Sequence, residues 1–110
     1  MEDELTELQR LFPGARAYEE GGVHYYLLPN LRLPVGCTPT TVDALLCPIL
    51  QDGYPSRLYF AQRRAGPVER NWNAQQRHIL GRTWEAFSWD NVRGRRLADL
   101  VLAHVRGLLP

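Results

Sequence analysis

His78, Ser88 and Asp90 bring an imidazole, a hydroxyl and a carboxylate into one short stretch, with His78 ten residues before the serine and Asp90 two after it. A serine hydroxyl is a poor nucleophile until a base takes its proton, whereas a cysteine is already partly thiolate near neutral pH. Here His78 is the favoured base, and Asp90 can either accept the proton directly or orient an imidazole. Each residue also has an ordinary structural use. A lone histidine often bonds a backbone carbonyl and fixes a loop, and a serine often caps a helix or closes a turn. Trp72, Trp84 and Trp89 read as packing anchors rather than substrate platforms. His104, in the last turns of a terminal helix, reads as a partly charged ring that complements the helix dipole.

The two cysteines, Cys37 and Cys47, have neither CxxC spacing nor a neighbouring histidine. No zinc site is expected from them, and no metal or organic cofactor is implied elsewhere. Two reduced thiols suit a reducing compartment, and the acidic, polar Met1 to Arg10 is unlike the basic-then-apolar plan of a signal peptide. A cytoplasmic chain without a membrane span is therefore expected. With 110 residues and 45% hydrophobic content, the chain has material for one core and reads as a single domain over residues 1–110. A net charge of +1 argues against a nucleic-acid partner, which calls for a basic excess. All 13 basic residues are arginine. Codon usage in a GC-rich genome explains that, but a chain lacking ε-amines would also be protected from acylation beside activated acyl groups.

The elements that must position these groups follow from periodicity. Glu2 to Phe12 has Leu5, Leu8, Leu11 and Phe12 at helical spacing with acids in the first turn, and Pro13-Gly14 stops it. Ala17 to Leu33 reads as a hairpin or one long bent strand, turning at Glu20-Gly21-Gly22 and bulging or breaking at Pro29-Asn30. Thr41 to Cys47 and Arg57 to Gln62 are further extended runs, separated by the Asp52-Gly53-Tyr54-Pro55 turn. Arg63 to Arg77 lacks periodicity and reads as surface loop. Gly94 to Leu109 puts Leu97, Leu100, Val101, Val105 and Leu108 on one helical face. The sum is an α+β fold: N-terminal helix, antiparallel meander of about four strands, long irregular segment, C-terminal helix, with the helices on one face of the sheet.

At Gly53-Tyr54-Pro55, between Cys47-Pro48 and Leu58-Tyr59-Phe60, the chain resembles ubiquitin-conjugating enzymes, which have a Tyr-Pro turn entering their last long strand. That family carries a His-Pro-Asn triplet ten residues before its acceptor cysteine. Here His78-Ile79-Leu80 stands in the triplet's place and Phe87-Ser88-Trp89-Asp90 in the cysteine's. His78-Ile79-Leu80-Gly81, Trp84 and Phe87-Ser88 are also similar to a bacterial branch found beside ubiquitin-like proteins, activating enzymes and JAB-type peptidases. The resemblance spans roughly residues 20–110. It implies a ubiquitin-conjugating-like fold and a carrier that takes a ubiquitin-like protein from an activating enzyme, in a bacterial modification or anti-phage pathway. Ser88 would hold the cargo as an oxyester, with His78 and Asp90 as catalytic partners. Two departures stand out: Leu80 replaces the oxyanion-stabilising asparagine, and Trp89-Asp90 replaces the Arg-His pair of many bacterial relatives. A non-catalytic variant that only binds the ubiquitin-like protein or its activating enzyme is the alternative that such losses predict.

Overall fold

The computed structural model describes residues 3–38, 40–49, 53–62, 69–89 and 96–109. Helix α1 spans Glu4–Leu11. Asp3 caps it by accepting the Thr6 N–H on Oδ1 at 2.7 Å, and Glu4 and Glu7 sit in its positive first turn. Strands β1 (Arg16–Glu20) and β2 (Val23–Arg32) form the expected hairpin. Glu20 pairs with Val23, so Gly21 and Gly22 make a two-residue turn, both at positive φ. That geometry matches the twist of the flanking strands and suits glycine. The register of β2 shifts between Leu28 and Leu31, where Asn30 is at φ 52° and donates its N–H to Asp43 Oδ1 at 2.9 Å. The break expected at Pro29-Asn30 is thus a bulge.

Strands β3 (Thr41–Cys47) and β4 (Arg57–Phe60) continue the meander. The sheet then departs from the expected four strands: it has six among the described residues, in the order β1-β2-β3-β4-β6-β5, all pairs antiparallel. The extra pair is the hairpin of β5 (Ala74–Ile79) and β6 (Arg82–Ala86). Part of the stretch read as loop is therefore strand. Of the β5 residues only Ile79 is fully buried, so there is no alternation to read. The turn is also made by Leu80 at φ 54° with Gly81 at φ 74°, an unusual place for leucine. Helix α2 covers Leu97–Arg106, shorter than the expected Gly94 to Leu109, with Arg96 as N-cap and Gly107 as C-cap. Its buried face is Leu97, Ala98, Val101, His104 and Val105.

Two apolar cores flank the sheet. One joins both helices to Leu28, Val42, Leu46, Leu58 and Phe60. The other gathers Tyr25, Leu45, Cys47, Tyr59, Ile79 and Trp84 on the opposite side. That second face is buried because the sheet curls. The Leu80 N–H donates to Glu20 Oε1 at 3.1 Å, joining the turn of the last hairpin to the end of β1 from the opposite side of the strand order. A cavity of about 190 Å³ lies where they approach, lined by Tyr18, Leu27, Leu80, Arg82 and Trp84. Among the described residues no helix is long and apolar enough to cross a membrane.

Candidate functional site

Three segments converge on Ser88: the Tyr54-Pro55-Ser56 turn into β4, residues 70–73 leading into β5, and residues 87–89 leaving β6. Each is anchored by packing. Phe87 stacks on Phe60 with ring centroids 5.9 Å apart and meets Trp72 edge-on at 5.3 Å. Its neighbour Trp89 donates Nε1–H to the Ala103 carbonyl on α2 at 3.1 Å. Arg70 lies 4.7 Å from the centre of the Trp89 ring and donates to the carbonyls of Gly107 (2.6 Å) and Leu109 (3.1 Å), covering the negative end of α2. The Ser88 N–H donates to the Asn71 carbonyl at 2.7 Å. The backbone on both sides of the serine is therefore fixed by aromatic packing and α2.

The Ser88 hydroxyl is half-buried and lies 2.7 Å from the Tyr54 hydroxyl, across 34 residues of sequence. Asn73 donates Nδ2–H to the same phenol oxygen at 3.0 Å. Asn73 in turn accepts on Oδ1 from the Arg57 guanidinium, which also donates to the Phe87 carbonyl at 3.3 Å. Arg57 is only 3% exposed and lies 4.5 Å from the Tyr54 ring centroid and 5.8 Å from that of Tyr59. A buried cation thus holds the tyrosine by its ring and, through the asparagine, by its hydroxyl.

One residue from Arg57, a second serine meets an imidazole. Ser56 Oγ is 2.8 Å from His104 Nε2, and both residues are 3% exposed. Burial, reinforced by the Arg57 charge, pushes the His104 pKa down to about 4. The ring is neutral at pH 7, so the expectation that it complements the helix dipole as a cation is corrected. Its work is to tie α2 to the start of β4.

His78 is exposed on β5, paired with Thr83 beside the Leu80-Gly81 turn. The other end of that hairpin, where Ala74 pairs with Ala86, leads to Ser88. From Thr83 to Ala86 the strand alone rises about 10 Å. The hairpin therefore sets His78 apart from Ser88. Asp90 lies outside the described residues. Cys37 and Cys47 are buried and form no disulfide. Trp72 and Trp84 are buried anchors, Trp84 donating Nε1–H to the Ile79 carbonyl at 2.9 Å. Asn73 and Arg57 were not anticipated. The one usable signal was Arg57 itself, a charge opening the otherwise apolar run Leu58-Tyr59-Phe60.

Among the described residues no group of three or more His, Cys, Asp or Glu side chains is placed to hold a metal ion. No family model, curated protein or solved structure matches the chain.

Proposed function

We propose that the chain is a ubiquitin-conjugating-like carrier, which accepts the C-terminal carboxyl of a ubiquitin-like protein from an activating enzyme and holds it as an ester on Ser88. The observation that carries this reading is the 2.7 Å contact between Ser88 Oγ and the hydroxyl of Tyr54, the tyrosine of the Tyr-Pro turn. It joins the two sequence features behind the resemblance, and Asn73 adds an amide donor within two hydrogen bonds of the serine. In loading, Ser88 Oγ attacks the thioester carbonyl on the activating enzyme. A C–O bond forms, the C–S bond breaks, and the departing thiolate takes the serine proton.

An oxyester resists thiol reductants and yields to alkali. With activating enzyme, ATP and the cognate ubiquitin-like protein, the wild-type chain gives a reductant-resistant, alkali-labile adduct that Ser88→Ala lacks. Ser88→Cys converts it to a reductant-sensitive one. One observation favours a second reading, in which the domain only binds these partners: among the described residues the Ser88 hydroxyl bonds neither an imidazole nor a carboxylate. Stable binding with no adduct in the wild type or in Ser88→Cys would establish that reading instead.

A further inference from the structure

Arg57, Asn73, Tyr54 and Ser88 form one chain of hydrogen bonds whose direction is set at its buried end. A guanidinium has donors and no acceptor, so the Asn73 atom it meets is the carbonyl oxygen. The amide NH₂ then faces the other way, onto the Tyr54 oxygen. A phenol offers in its ring plane one acceptor position and one proton. With the amide on the first, the proton is free to point at Ser88 Oγ, one of the two directions the 2.7 Å contact allows. Each donor polarises the next, and the positive charge stands at the far end from the serine.

We infer that Tyr54 is the general acid for Ser88: its hydroxyl proton passes to Ser88 Oγ as a bound acyl group leaves for an acceptor amine, with Arg57 and Asn73 as positioning residues that aim it. The inference rests on the carrier reading above and supplies what an ester carrier needs. A thiolate leaves an acyl group unaided, whereas a serine alkoxide is a far more basic leaving group and needs a proton as the bond breaks. In discharge the amine nitrogen bonds the ester carbonyl, and the carbonyl–Oγ bond breaks with its electron pair on Oγ. Oγ takes the Tyr54 proton, and the phenolate recovers the proton shed by the attacking nitrogen. The products are an amide and the original serine hydroxyl. The Arg57 guanidinium over the ring and the Asn73 amide on its oxygen hold the phenol in place against Ser88. In loading, Tyr54 keeps its proton and simply holds Oγ, whose own proton faces outward to the departing thiolate.

The test uses the full chain, acylated by a short peptide thioester of mercaptoethanesulfonate and discharged with glycinamide, with intact mass as readout. Tyr54→Phe keeps the ring under Arg57 and removes the hydroxyl with its proton. It should slow discharge from Ser88 by about 10²-fold, the lower range for loss of a general acid. In the Ser88→Cys background the same substitution should change discharge by less than about twofold, because a thiolate needs no proton. Asn73→Ala, at an exposed position, should slow discharge from Ser88 to a lesser degree and likewise spare the thioester. Equal slowing in both backgrounds, no slowing from Ser88, or failure of the thioester to acylate Ser88 would each overturn the inference. Tyr54-dependent discharge of the peptide ester, combined with no ubiquitin-like adduct from the activating enzyme, would overturn the carrier reading and leave the role of Tyr54 standing.

Discussion

Two serines flank the same turn and meet opposite fates. Ser56 has what a nucleophile wants, an imidazole at 2.8 Å, yet both partners are sealed from solvent. Ser88 has no such base at hand among the described residues, yet it is half-exposed and bonded to a tyrosine oriented by a buried arginine. The first pair is a structural tie between α2 and β4, and the second is the one proposed to carry an acyl group. Access, and the direction in which the surrounding hydrogen bonds point, distinguish the two more than the identity of the nearest polar partner. The difference can be pressed from either side by perturbing the sealed pair, the packing between the pairs, or the two hydroxyls themselves.

The largest effect comes from protonating the sealed pair. The His104 pKa is about 4 in the folded protein against an ordinary 6.5, so between these values the unfolded chain binds the proton more readily. Stability is full above pH 6.5, falls as the pH drops towards 4, and levels off below. The loss amounts to about 3 kcal/mol, at about 1.4 kcal/mol per pH unit between the two values. Urea midpoints measured from pH 7.5 to 4 should trace that decline in the wild type and a much flatter line in His104→Gln. Parallel lines for the two proteins would show that His104 titrates normally and that its burial carries no linkage.

Next comes the packing that joins the two regions. A Cβ added at Gly107 would lie 2.8 Å from Phe87 Cε2, 2.9 Å from Trp89 Cδ2 and 3.0 Å from the His104 carbonyl oxygen. Two of these atoms belong to the residues on either side of Ser88, so Gly107→Ala pushes on the segment that carries this serine. Overpacking of this kind costs about 1–3 kcal/mol. Chemical denaturation should show that loss, and acylation of Ser88 by the peptide thioester should slow with it. Lost stability with unchanged acylation would mean that α2 does not position Ser88.

Much of the frame was legible because its signals are local. Acids before Leu5 and Leu8, with Pro13-Gly14 after them, mark α1, and two glycines in a row mark the first hairpin. The Leu97–Val101–Val105 face marks α2, although Arg96 caps it later than periodicity suggested. The last hairpin escaped notice because Gln75, Gln76 and His78 are exposed on β5 and a leucine occupies the turn. Only pairing with distant strands makes it a strand. The ten residues of spacing between His78 and Ser88 also become separation once the chain doubles back between them. Tyr54 and Ser88 meet through sheet order, and Asn73 reaches them from a segment with no periodicity at all. Contacts of that range carry no spacing that a single chain could reveal.

The smallest change in stability should accompany the largest change in chemistry. Ser88→Ala removes a half-buried hydroxyl whose partner Tyr54 keeps the Asn73 bond and can turn to water, so stability should move by less than about 0.5 kcal/mol. Ser56→Ala removes a hydroxyl from a sealed site and leaves the His104 ring nitrogen without its partner, a loss of about 1–3 kcal/mol. Acyl adduct formation should run the other way, abolished by the first substitution and retained by the second wherever the protein is folded. Urea denaturation and intact mass on the same two variants give all four values. If folded Ser56→Ala fails to form an adduct, the buried serine and imidazole take part in the chemistry after all. The Arg57 charge that acts on His104 would then belong to one site with Ser88 rather than to an anchor beside it.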